Sequence, residues 1–411
     1  MGRARQRLYT RRAAAPRAPE REVRRRPASR ARVDPEVDRG LASATVSRLS
    51  RLRPQLLLSA LMLFSSLAVY IPFRGAMDKV CRYWDGPPYL YVAKTLYQVP
   101  EQHPFTPYGL PASYFANHLP GYPLLIRALT PLTLGDYPTA MLLATLLTSM
   151  GAVVLFYQLL VSYRLVRSPV WTAVLFCFLP PRFVIYHAVG ASEPLFLCCV
   201  FAAFLALKAE RPAWVALFAA LGSLTRMPGA LLVPIFGLIY LTRGQWRRAI
   251  AMSLGGLGLL CLFTYYHFVF GDFWAYFTWA ARETHMMAAP FAKFSTYAGT
   301  AKLHSIELFA AVFLAYGLGT LSLWKRRELF IYAATYWLFC TMINHADVPR
   351  LILVIAPFAL LVAFDEQLSR PAARLLLPLA IFFDYSYAWG YLPHKLVGRG
   401  VYQELLEVLS R

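Results

Sequence analysis

Charge is scarce in this chain. Of its 411 residues, 15% are charged and 58% are hydrophobic, whereas soluble domains carry roughly a quarter charged residues. With a mean hydropathy of +0.45, that balance excludes an ordinary soluble globular protein. Acids are scarcer still, with 21 Asp and Glu against 42 Lys and Arg. Cysteine is neither abundant nor patterned. Cys81, Cys177, Cys198, Cys199, Cys261 and Cys340 show no metal-ligand spacing and no disulfide framework. All but Cys81 fall in apolar runs, where the thiol acts as a small packing group. No convincing cleavage site follows the first apolar run, Leu56 to Phe73, and the basic region before it is too long for a signal peptide. That run reads as an uncleaved first span. No clear internal repeat is visible, and an inverted repeat is what a transporter of known architecture would show.

What is present is a succession of apolar stretches long enough to cross a bilayer. They lie near 55–73, 139–162, 169–186, 193–208, 213–226, 229–242, 249–270, 305–324, 328–344, 350–365 and 372–390. The expected fold is all-α, a polytopic transmembrane protein of about 11 spans. Residues 1–54 precede them as an arginine-rich tail with almost no large apolar group. Such a tail cannot bury enough surface to fold alone. It reads as a disordered cytoplasmic segment that sets topology by its charge, with no nucleic-acid role expected. With the tail inside, five further loops fall on the cytoplasmic side, marked by Arg164 and Arg167, Lys208 and Arg211, Arg243 with Arg247 and Arg248, Lys325 to Arg327, and Arg370 with Arg374. Each is short and basic, as the positive-inside rule asks. The opposite side receives 74–138, 187–192, the turn at Arg226, 271–304 and 345–349, which hold most of the unusual polar residues. The chemistry is therefore expected on the extracytoplasmic face.

Four groups of residues converge there. Tyr83-Trp84-Asp85-Gly86 with Tyr89 opens the long first loop; Asn117-His118 leads into Pro120-Gly121-Tyr122-Pro123; Tyr186-His187 runs to Ser192-Glu193-Pro194-Leu195-Phe196; and Arg226 and Arg350 each stand at the edge of an apolar segment. An arginine at membrane depth is costly and usually faces a partner or a water-filled cavity. Its guanidinium fork also suits phosphate. Each residue has a blander reading. Asp85 before Gly-Pro-Pro is a good helix N-cap, the aromatics suit an interfacial belt, and the arginines suit snorkelling to the interface. Asp347 reads as a pairing partner for Arg350.

The run Arg82-Tyr83-Trp84-Asp85 through Tyr89-Leu90 and Ala93 resembles the first-loop motif of GT-C membrane glycosyltransferases, most closely the PIG-V-like mannosyltransferases and their bacterial relatives. Pro120 to Arg127, Ser192 to Phe196, and Leu224-Thr225-Arg226-Met227-Pro228-Gly229 are similar to further motifs of that family, in the same order. The resemblance covers about 55–240 and fades after about 245. It divides the chain into the tail, a GT-C-like module over 55–245 that includes loop 74–138, and a variable module over 246–411.

The resemblance implies an inverting glycosyltransferase. A sugar, mannose first, would pass from a polyprenyl-phosphate donor to a hydroxyl of a glycan, lipid or protein acceptor. Asp85 would take the acceptor proton. Arg350 first and Arg226 second would meet the leaving lipid phosphate. Trp84, Tyr83, Tyr89, His118, Glu193 and His187 would line the substrates. Gly86 and Pro87 follow Asp85 where a paired second acid would stand, so no metal site and no required cofactor are expected, with a divalent metal as the disfavoured alternative. The expected location is a bacterial plasma membrane, N-terminus cytoplasmic. A lipid or sugar flippase and a non-catalytic envelope-assembly scaffold are the competing classes.

Overall fold

A computed structural model describes residues 53–283, 285–286, 289–292, 303–345 and 347–411. The basic tail over 1–54 lies outside them except for its last two residues. Residues Leu52–Arg411 form one compact unit. Apart from a two-residue antiparallel pair, His285–Met286 with Ile343–Asn344, the described regular structure is helical.

Helix α1 (Arg53–Val69) leads into the first loop. This loop holds the short α2 (Asp78–Cys81), α3 (Gly86–Thr95) and α4 (Gly121–Leu129), the last two packed on each other. Then come α5 (Tyr137–Tyr163), α6 (Pro169–Phe176), α7 (Pro181–Tyr186), α8 (Glu193–Lys208), α9 (Pro212–Thr225) and α10 (Leu232–Thr242). The second half holds α11 (Trp246–Ala251), α12 (Leu257–Phe270), α13 (Ala275–Glu283), α14 (Leu303–Ser322), α15 (Arg327–Thr341), α16 (Val348–Leu351), α17 (Asp365–Leu368), α18 (Pro371–Tyr391) and α19 (Arg399–Ser410). The chain has 29 prolines, and several are accommodated at helix starts. Pro87, Pro169, Pro181, Pro194, Pro212 and Pro371 sit in first turns, where the missing N–H would have had no intrahelical partner.

Among the described residues, three helices are long and apolar enough to cross a membrane: Tyr137–Tyr163, Trp246–Phe270 and Pro371–His394. Arg53–Val69, Pro212–Thr225, Met227–Thr242 and Glu307–Ser322 are shorter apolar helices. The expected count of about 11 full spans is therefore not reproduced. The run over 169–186 breaks at Pro180-Pro181 into α6 and α7, and 350–365 becomes a series of short helical turns. Helix α8 is apolar because it is buried among other helices. In the main core Phe201 stacks on Phe156, and Phe204 meets Tyr332 and Phe358 edge-on.

Two features position the site. At one end of the bundle, Arg243 pairs with Glu210 and Glu328, and Arg248 pairs with Glu210. This joins three loops that the charge pattern had grouped on one face. At the other end, the segment after α18 returns across the first loop. Tyr83 and Leu396 form an antiparallel bridge, with Trp84 N–H donating to the Lys395 carbonyl at 2.9 Å and Val397 N–H to the Arg82 carbonyl at 2.9 Å. Helix α19 then packs on α3, and Lys94 Nζ donates to the Leu409 carbonyl at 3.2 Å. The last twenty residues thus form a strap over the loop that carries Asp85.

Candidate functional site

Asp85 precedes α3, as its sequence predicts, but its carboxylate makes no capping hydrogen bond. Only its carbonyl serves the helix, accepting from Tyr89 N–H at 3.0 Å. The carboxylate turns instead into a cavity of about 580 Å³ lined by Trp84, Tyr89, His118, Arg226, Asp347 and Arg350, among others. Its Oδ2 accepts from Arg350 Nη1 at 2.6 Å, and its Oδ1 lies 3.9 Å from His118 Nε2. Burial alone would raise the Asp85 pKa. The Arg350 guanidinium, helped by His118, outweighs burial and holds the group well below its ordinary value. Asp85 is therefore ionised at neutral pH.

Arg350 is the hub. It stands on α16 and stacks over the Tyr186 ring at 4.7 Å. Its Nε donates to Glu193 Oε1, and the same oxygen lies 2.6 Å from Arg226 Nη1. Glu193 opens α8 and is fully buried behind the two arginines. Its Oε2 is buried with no hydrogen-bond partner among the described residues. The result is a row of alternating charge, Asp85–Arg350–Glu193–Arg226, drawn from four distant parts of the chain. Two carboxylates balance two guanidiniums, which is the condition for keeping such groups away from water.

Local packing explains how the motifs meet. A Cβ on Gly121 would stand 2.9 Å from the Leu224 carbonyl oxygen and 2.8 Å from the Thr225 side chain. Glycine there lets the Pro-Gly-Tyr-Pro turn sit directly on the turn that carries Arg226. Tyr122 locks this contact to α5 through the Met141 carbonyl at 2.9 Å and Thr145 Oγ1 at 2.6 Å. Tyr89 bonds Ser192 Oγ at 3.1 Å, next to Glu193, and its ring meets His118 edge-on at 5.1 Å. His118 is buried, with its carbonyl accepting from Tyr97 and its Nδ1 unpaired among the described residues.

Four expectations change. Glu193, expected to line the substrates, is fully buried and is not part of the cavity wall. Tyr83, expected to line the substrates, is buried edge-on against Tyr186 at 6.2 Å and does not line the cavity. His187 is fully buried elsewhere. Its Nδ1 lies 2.9 Å from Ser66 Oγ and its Nε2 3.3 Å from Ser65 Oγ, which ties α1 to the core. Asp347 does not pair with Arg350. It faces Arg182 at 3.5 Å and Lys395 at 3.4 Å. Trp84 does line the cavity. It is 45% exposed and holds φ at +37°, a left-handed value that disfavours a side chain.

Arg182, Lys395, Leu396 and Val397 carried no local signal, because only the returning strap and α7 bring them here. Among the described residues no group of three His, Cys, Asp or Glu side chains is arranged to hold a metal ion.

No curated protein matches the chain. The model of glycosyltransferase family 87 matches residues 122–363, more than half of it. The match takes in Glu193, Arg226 and Arg350; Asp85 and His118 precede it and Lys395 follows it. Together with its apolar helices of crossing length, this identifies an integral membrane protein, and the chain belongs to glycosyltransferase family 87.

Proposed function

We propose that the protein is an inverting glycosyltransferase. It moves a sugar from a polyprenyl-phosphate donor to an acceptor hydroxyl on the extracytoplasmic side of the membrane. The observation that carries this reading is Arg350 standing between Asp85 and Glu193 at the cavity wall. The likeness of its motifs to PIG-V-like enzymes supports mannose as the sugar. The crowding of basic loops at the end of the bundle away from Asp85 supports the sidedness.

The chemistry follows from the charges. The acceptor hydroxyl gives its proton to Asp85 as its oxygen attacks the anomeric carbon, and the bond from that carbon to the phosphate oxygen breaks. The donor phosphate gains one negative charge as it leaves. In the resting site Asp85 neutralises Arg350. Once Asp85 holds the proton, its charge is gone and Arg350 is free to meet the new charge on the phosphate. Proton uptake and leaving-group stabilisation are thereby coupled through one ion pair, and a low-dielectric site strengthens the effect. Glu193, shielded from the cavity by the two arginines, holds them in place.

The test is Asp85→Asn in purified protein, supplied with a polyprenyl-phosphate mannose donor and assayed for free polyprenyl phosphate. Turnover should fall by roughly 10²–10⁴-fold, and donor binding should hold or tighten, since Arg350 loses its internal anion. Turnover near that of the unmodified protein removes Asp85 from the reaction. Bilayer translocation of the donor lipid without sugar transfer would instead favour a flippase.

A further inference from the structure

Among the described residues around the cavity, three carboxylates (Asp85, Glu193 and Asp347) face four cations (Arg182, Arg226, Arg350 and Lys395). The first two acids are matched by Arg226 and Arg350. The surplus positive charge lies in the second cluster, where Asp347 alone serves both Arg182 and Lys395. Its distances there, 3.5 and 3.4 Å, are longer than those of a tight charge-assisted pair. Arg182 is mostly buried, with its guanidinium over the Tyr391 ring at 4.4 Å and its Nη1 lacking any hydrogen-bond partner among the described residues. Lys395 arrives on the strap, with its Nζ 4.6 Å from the Trp84 ring. Asp347, Trp84 and the next strap residue, Leu396, all line the cavity. An unmatched buried cation with a free donor is costly unless an anion completes it.

We infer that Arg182 and Lys395 form an anion subsite for a phosphate group, separate from the Arg226–Arg350 pair and held open by Asp347. It rests on the reading of the cavity as a phosphate-handling site. A singly charged phosphodiester would make the second cluster neutral. It would sit one helical turn along α7 from Tyr186, the ring beneath Arg350. The phosphate could belong to the sugar donor or to an anionic acceptor lipid, since the chemistry of recognition is the same.

The test titrates farnesyl phosphate, a short polyprenyl monophosphate, into the full-length protein in neutral detergent, followed by calorimetry. Lys395→Met and Arg182→Gln should each weaken binding roughly tenfold or more, the scale of a lost hydrogen bond to a charged group. Asp347→Asn should tighten it, because it removes the competing anion. A purely structural ion-pair cluster predicts no such opposite signs. Unchanged affinity in the two cation variants, or weakening by Asp347→Asn alongside them, overturns the inference. Steady-state kinetics of Lys395→Met then identify the source. A raised KM for a polyprenyl-phosphate sugar assigns the donor phosphate. A raised KM confined to a phospholipid acceptor, with a neutral alkyl glycoside acceptor unaffected, assigns the acceptor phosphate. Opposite signs in binding without any sugar transfer would leave the subsite standing and refute the transferase reading of this cavity.

Discussion

Glu193→Gln isolates the group that holds the two arginines. The substitution keeps the volume and removes one buried charge. The carboxylate is fully buried, and a single oxygen, Oε1, serves both Arg226 and Arg350. Breaking a buried ion pair by removing one partner costs about 3–5 kcal/mol, because the other charge is left uncompensated. Gln retains a carbonyl oxygen that can accept one guanidinium N–H, and Asp85 still neutralises Arg350. The expected loss is therefore at the lower end, about 3 kcal/mol, and it falls mainly on Arg226. Chemical unfolding in detergent, followed by tryptophan fluorescence, measures it, with turnover assayed in parallel. The double variant Glu193→Leu with Arg226→Leu is the control. Replacing both members of a buried pair by apolar residues is often neutral, so this protein should be more stable than Glu193→Gln yet still impaired in transfer. A loss below about 0.5 kcal/mol in Glu193→Gln would refute the argument. That is the range of substitutions away from such features. A double variant less stable than the single one would refute it too.

Two further outcomes follow from Asp85 and Trp84. Arg350 holds the Asp85 pKa below its ordinary 3.8. The stability this pair contributes is thus fully present above pH 3.8 and is lost as pH falls below it, through the depressed value. Arg350→Gln should move the acid limb of the kcat/KM profile to higher pH; an unmoved limb would show that Arg350 does not set the charge of Asp85. Trp84 holds φ at +37°, a region that costs non-glycine residues about 1–2 kcal/mol. Trp84→Gly should therefore be more stable than Trp84→Ala in thermal unfolding, the reverse of the order at ordinary positions, and the opposite result would mean that the strap does not impose this conformation.

Much of the site was legible because it lies in short local patterns. Asp85 before Gly-Pro-Pro marks a helix start, and α3 begins there and ends at Leu96 in a left-handed conformation. Arg226 and Arg350 stand out because arginine is rare beside apolar runs, and both line the cavity. Glu193 opening an apolar helix was visible for the same reason. It does not reach the cavity wall, because its depth in the bundle depends on neighbours that no local pattern specifies. Tyr83 and His187 were misread for a related cause. Aromatic and imidazole groups serve packing and polar zippers as readily as substrates, and only Tyr186, Ser65 and Ser66 reveal which. The span count was less legible, because hydropathy cannot separate a helix facing lipid from one enclosed by protein, as with the largely buried α8. Arg182 and Lys395 were invisible because the strap joins segments more than two hundred residues apart.

Under the proposed reaction, the charge arrangement would explain why one acid suffices where a pair would otherwise be expected. A single carboxylate beside a departing phosphate would face growing repulsion as that phosphate gained charge. Here the same carboxylate is the counter-ion of the residue that must meet the phosphate. Each state of the cycle then has its own neutral solution. At rest, Asp85 balances Arg350. With the proton transferred, the leaving phosphate balances it instead. Glu193 must stay ionised throughout, and its burial behind two guanidiniums shields it from the acceptor and from water. In the proposed reaction, the alternating row would let one proton switch the partner of a fixed arginine.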